Sequence, residues 1–134
     1  MKKEPLILVT NDDGIDAPGL RALIGAMLPL GRLMVVAPDQ GRSGQAHAIT
    51  VNSPLRPRLI RSENRIIEYS TNGTPVDCVK LALKALMNEK PDLLVSGINH
   101  GTNSSINIIY SGTMAATIEG SMESIPSIGF SLCD

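Results

Sequence analysis

The chain opens on Leu6-Ile7-Leu8-Val9-Thr10, a continuous apolar and β-branched run that stops abruptly at Asn11-Asp12-Asp13-Gly14. A run this short, with no polar alternation, reads as a strand covered on both faces, as in a parallel sheet. Parallel neighbours need a long crossover, and the next residues supply one. Pro18 suits the first turn of a helix whose apolar positions include Leu20, Leu23, Ile24, Met27 and Leu28, ended by Pro29 and Gly31. A second buried strand follows at Leu33-Met34-Val35-Val36-Ala37 and is closed by Pro38. Strand, helix and strand make a βαβ unit. The expected class is therefore α/β: a Rossmann-like, three-layer, doubly wound and mostly parallel sheet.

Short alternating runs at Ala48 to Val51, Leu59-Ile60 and Ile66 to Tyr69, separated by Pro54, Pro57 and charged residues, predict a small antiparallel excursion at the sheet edge. Thr74 reads as a helix cap, Pro75 as the first helical residue and Asp77 as a carboxylate in the first turn. The periodicity puts Val76, Val79, Leu83 and Leu86 on a packed face and Asp77, Lys80, Lys84 and Asn88 on a solvated one. Asp92 to Ser96 predicts a third buried strand, Gly97 to Gly112 a loop, Thr113 to Met122 a helix and Ile125 to Leu132 a fourth buried strand.

A chain of 134 residues without repeats or a linker reads as one domain. Twelve Lys plus Arg against 13 Asp plus Glu leave a net charge of −1, which disfavours a nucleic-acid polymer or an acidic membrane as the main partner. With Tyr69, Tyr110 and Phe130 as the aromatic set, a base-stacking surface is also unsupported. Cys78 and Cys133 have no His or Cys at metal-finger spacing, and Cys78 reads as a reduced core thiol. The apolar run after Met1-Lys2-Lys3-Glu4-Pro5 is too short for a signal peptide or a membrane span, so a soluble cytoplasmic protein is expected.

In an open parallel sheet the ligand site lies beyond the carboxyl ends of the strands. That places Asn11, Asp12 and Asp13 after the first strand, Asp39, Arg42 and Ser43 after the second, and Asn99, His100 and Asn103 after the third at one edge. Adjacent carboxylates there repel and desolvate each other, a cost that a divalent cation resolves. With neutral oxygens from Ser43 and Asn99 the set is hard and oxygen-only, suited to magnesium, manganese or calcium rather than zinc or copper. The same Asn-Asp-Asp-Gly composition also fits an ordinary turn. Tyr110-Ser111-Gly112-Thr113 reads either as a phosphate cradle at a helix start or as a plain Ser/Thr cap. Gly41-Arg42-Ser43-Gly44 is equally two-sided, and the lone His47 and His100 each fit a proton donor or a hydrogen-bonded structural role.

Taken together, Leu8-Val9-Thr10-Asn11-Asp12-Asp13-Gly14 with Ala17-Pro18-Gly19, Ala37-Pro38 leading to Arg42-Ser43-Gly44, Asn72-Gly73-Thr74-Pro75, Ser96-Gly97-Ile98-Asn99 and Tyr110-Ser111-Gly112-Thr113 closely resemble the survival protein E family of stationary-phase phosphatases, which are 5′-nucleotidases. The resemblance runs from about Leu6 to the end in the family's order and spacing. It implies a metal-dependent phosphomonoesterase acting on nucleoside 5′- and 3′-monophosphates. Asp12, Asp13, Ser43 and Asn99 would hold one divalent ion, magnesium or manganese, with calcium able to replace it in crystals. Asp12 and Asp13 would carry the catalysis, and Asn11, Asn99, Asn103, Ser111, Gly112 and Thr113 would line the phosphate pocket. Ser105-Ile106-Asn107 departs from the family's glycine and acidic residues at the pocket rim. The match covers roughly the first half of a family member, so the expectation is a catalytic core without the C-terminal part that contributes to a dimer or tetramer.

Two other classes compete. A receiver-like phosphoacceptor also places an acidic pair after its first strand, but it needs an Asp after the third strand and a later Lys, where this chain has Ser96-Gly97-Ile98-Asn99 and no Lys beyond Lys90. A non-catalytic nucleotide-binding form lacks support from either a Rossmann glycine fingerprint or a P-loop.

Overall fold

The computed structural model describes residues 4–41, 54–101 and 106–133, without the side chains of 106–111 and 133. Six strands form one sheet in the order β3-β4-β2-β1-β5-β6. They are β1 (Leu6–Thr10), β2 (Arg32–Pro38), β3 (Arg58–Glu63), β4 (Ile66–Thr71), β5 (Leu93–Gly101) and β6 (Ser127–Cys133). Every neighbouring pair is parallel except β3 with β4, so the antiparallel excursion sits at one edge as expected. Its companion run, Ala48 to Val51, lies outside the described residues.

Three helices cover the sheet: α1 (Pro18–Met27), α2 (Pro75–Leu81) and α3 (Ile106–Met122). Alternation along the strands sends Ile7, Val9, Leu33, Val35 and Val95 toward Leu20, Leu23 and Ile24 of α1. Leu8, Met34, Val36 and Leu94 pack on the other face against Cys78 and Val79 of α2 and Ala116 of α3. Cys78 is the expected core thiol, its Sγ 3.2 Å from the Thr71 hydroxyl.

α2 starts as its sequence dictates. The Thr74 hydroxyl accepts from the Asp77 N–H at 3.2 Å, and the Asp77 carboxylate accepts from the Thr74 N–H at 2.9 Å, with Pro75 in the first turn. That reciprocal cap buries Asp77, which therefore does not belong to a solvated face. Lys80 is likewise no free surface lysine: its Nζ pairs with Glu119 of α3 at 3.0 Å. The helix continues as a π-helical turn over Ala82–Leu86.

Three expected boundaries are corrected. β5 runs on to Gly101, so Asn99 and His100 belong to a strand rather than a loop. α3 starts at Ile106, which places Tyr110 to Thr113 inside a helix instead of at its entrance. β6 is an edge strand whose Ile128, Phe130 and Leu132 are 36–49% exposed, not a buried one.

Candidate active site

The chain leaves β1 toward β2 on one side and later returns to place β5 on the other, so β1 and β5 flank the point where the winding reverses. Ligand crevices in such sheets form outside the carboxyl ends at this point. Asp12 and Asp13 follow β1 directly, and Asn99 lies on β5.

The β1 loop is built by Asn11. Its Nδ2 donates to the Gly14 carbonyl at 2.8 Å and its Oδ1 accepts from the Gly14 N–H at 3.2 Å, closing the turn around the two aspartates. Gly14 has φ +111°, a backbone that a side chain would strain. The loop is tied to the next strand by the Ile15 N–H, which donates to the Pro38 carbonyl at 2.7 Å.

Asn99 reaches the site through an irregularity in β5. Regular alternation would put it on the same face as Val95, under α1. Register with β6 shifts between Ser96 and Asn99. Ile98 now packs toward α1 and the Asn99 side chain turns to α3, where its Nδ2 donates to the Thr113 hydroxyl. Its Oδ1 accepts from the Asp12 N–H at 3.2 Å. The amide is thus held in one orientation, with its oxygen beside Asp12. Asp12 and Asn99 are each 1% exposed, while Asp13 is partly exposed and its Oδ2 accepts from the His100 N–H at 3.2 Å. His100 therefore enters through its backbone.

Inside α3 the backbone N–H groups of Ser111, Gly112 and Thr113 serve the helix, so they do not form the phosphate cradle expected from a helix start. Gly112 contributes by absence instead: a Cβ there would overlap the Asp12 carboxylate. Thr113 is buried and supports Asn99. Ser43 and Asn103, with Arg42 and His47, lie outside the described residues, and the Ser111 side chain is not described.

The donor set fits a hard divalent cation. Asp12 and Asp13 offer carboxylates and Asn99 an amide oxygen with a second lone pair, all hard oxygen donors. The Asn99 oxygen lies on the Asp12 N–H, α3 presses on the Asp12 carboxylate, and the Asp13 carboxylate lies on the His100 N–H. Among the described residues no three His, Cys, Asp or Glu side chains group for a metal.

A second polar group was not anticipated from sequence. Glu68 of β4 is fully buried on the α1 face, its Oε1 accepting from Arg21 Nη2 at 2.8 Å and its Oε2 from Arg61 Nε at 2.7 Å. Burial pushes its carboxyl up, and the hydrogen bonds and charges of Arg21 and Arg61 outweigh that and hold it below the ordinary 4.5. Its one sequence signal is a charge inside the apolar run Ile66-Ile67-Glu68-Tyr69.

A family model described as Survival protein SurE matches residues 7–134. The chain belongs to the SurE family. It is 61% identical over 132 residues to the 5′-nucleotidase SurE of Flavobacterium psychrophilum, covering 98% of this chain and 51% of that protein. The 5′-nucleotidase SurE of Bacteroides thetaiotaomicron is 53% identical over the same length, with 98% and 51% covered. The SurE crystal structure from Aquifex aeolicus superposes with a TM-score of 0.78 at 44% identity, covering 95% of this chain and 50% of that one. The SurE resemblance read from the five motifs is thus established, as is the α/β class. The chain spans about half the length of the curated relatives it matches. No helix among the described residues is long and apolar enough to cross a membrane.

Proposed function

We propose that residues 1–134 form the catalytic domain of a metal-dependent phosphomonoesterase that hydrolyses nucleoside 5′- and 3′-monophosphates in the cytoplasm. The observation that carries this reading is the meeting of Asp12, Asp13 and Asn99 at the β1/β5 reversal, with Gly112 pressed on Asp12, in a chain of the SurE family. The 5′-nucleotidase names of its relatives supply the reaction and substrate class.

Asp12, Asp13, Asn99 and Ser43 would hold one divalent ion, magnesium or manganese. When bound, such an ion supplies positive charge that offsets the two carboxylates and polarises a phosphoryl oxygen. The chain's own part is positional. Asn99 is fixed by Asp12 and Thr113, so its oxygen needs no reordering. The Thr113 oxygen accepts from Asn99, which leaves its hydroxyl proton to donate to a phosphate oxygen or to Ser131, 3.5 Å away. Asn11 keeps both aspartates in place, and Asn103, Ser111 and Gly112 complete the pocket wall in this reading.

Substrate class is tested by phosphate release from adenosine 5′- and 3′-monophosphate beside p-nitrophenyl phosphate and a phosphodiester. Faster release from the two nucleotides than from p-nitrophenyl phosphate, with none from the diester, is the expected outcome. Preferential cleavage of the diester would refute the reading.

A further inference from the structure

Glu68 is an expensive group to bury, and an apolar side chain of similar size would fill its place without that cost. Its partners show what it does. Arg21 Nη2 donates not only to Glu68 but also, at 2.9 Å, to the carbonyl of Ile15. Ile15 is two residues from Asp13, and its N–H is already committed to Pro38. Its peptide groups are therefore clamped on both sides, by β2 through the N–H and by α1 through the carbonyl. Arg21 is 41% exposed along its side chain, so without an anchor it would sample many rotamers. Glu68 supplies that anchor from β4, and Arg61 of β3 holds the other carboxylate oxygen.

We propose that Glu68 and Arg21 are positioning residues: a brace running from β4 through α1 to the Ile15 carbonyl, which fixes the loop that presents Asp12 and Asp13. Its relevance to ion binding rests on the reading of the site given above. The loop-holding role itself does not.

Arg21 and Arg61 provide an internal control, since both pair with Glu68 but only Arg21 touches the loop. Amide hydrogen exchange on the ion-free chain compares Arg21→Met with Arg61→Met. Arg21→Met is expected to raise exchange at Gly14 and Ile15 about 10-fold through local opening, and Arg61→Met to change it less than about 2-fold. Titration with Mn2+ should follow the same order, with affinity lowered about 10-fold or more by Arg21→Met, as for other groups that orient metal ligands, and little changed by Arg61→Met. A purely structural ion pair would make the two variants equivalent, and equal exchange at Gly14 and Ile15 overturns the brace. If Arg21→Met does not fold, Glu68→Gln keeps the shape and removes the anchoring charge. Faster Ile15 exchange then supports the brace and unchanged exchange overturns it. Wild-type chain that binds no Mn2+ would refute the metal reading, and the exchange comparison would still decide the brace.

Discussion

Asp12 is constrained from three directions: Asn11 closes its turn, Asn99 accepts its N–H, and Gly112 lies against its carboxylate. Gly112→Ala therefore forces α3 away from Asp12. The expected cost is about 1–3 kcal/mol of stability by overpacking, measured by urea denaturation, together with weaker Mn2+ binding. Glu68 gives a pH signature. Its carboxyl is lowered in the folded chain, so the stabilisation is fully present above the unfolded value of 4.5 and is lost as pH falls through the folded value. Glu68→Gln should lose about 1–2 kcal/mol at pH 7, on the scale of charged hydrogen bonds, and the gap to wild type should narrow as pH falls below 4.5. A gap that stays the same from about pH 7 down to the acid unfolding limit, or widens on acidification, would contradict the assigned ionisation. Asp12, Asp13 and Asn99 were legible in the sequence because topology alone sends strand ends to one edge. Arg21 and Glu68 were not, because their partners are 47 residues apart and no local pattern pairs them.

Among the elements, α2 shows how far local chemistry reaches. Thr74, Pro75 and Asp77 mark its start in the sequence, and the capping box forms as written. Thr74→Ala should cost about 1–2 kcal/mol, read as a lower urea midpoint at unchanged slope, because it also strands a buried Asp77 N–H. β1, α1 and β2 were readable for the same reason: apolar period and Pro or Gly stops agree. β5 and α3 were misjudged at the glycine- and asparagine-rich stretch. Loop-like composition there hides a strand extended by pairing with β6 and a helix that begins before its small residues. Asp77 and Lys80 were placed in solvent because helix periodicity does not see a reciprocal cap or a facing helix that carries Glu119.

At the scale of the molecule the sheet is unevenly covered. α1 shields β1, β2 and part of β5, whereas Ile128, Phe130 and Leu132 on β6 and Met114, Ile118 and Met122 on α3 are exposed. An open edge strand with apolar neighbours favours association. Light scattering on the 134-residue chain should show concentration-dependent assembly that Ile128→Lys with Leu132→Lys reduces; a monomer at all concentrations would count against it. The proposed site at the β1/β5 reversal adjoins that edge face, since Asn99 donates to Thr113 of α3 and the Thr113 hydroxyl lies 3.5 Å from that of Ser131 on β6. The most direct test of a metal-dependent phosphatase is phosphate release from a nucleoside 5′-monophosphate, for wild type and Asp12→Asn, with Mn2+ or with chelator. Release that requires Mn2+ and falls about 100-fold or more in Asp12→Asn is predicted, the scale of losing a preorganised charged group. Release that survives chelator, or that is unchanged in Asp12→Asn, would contradict it.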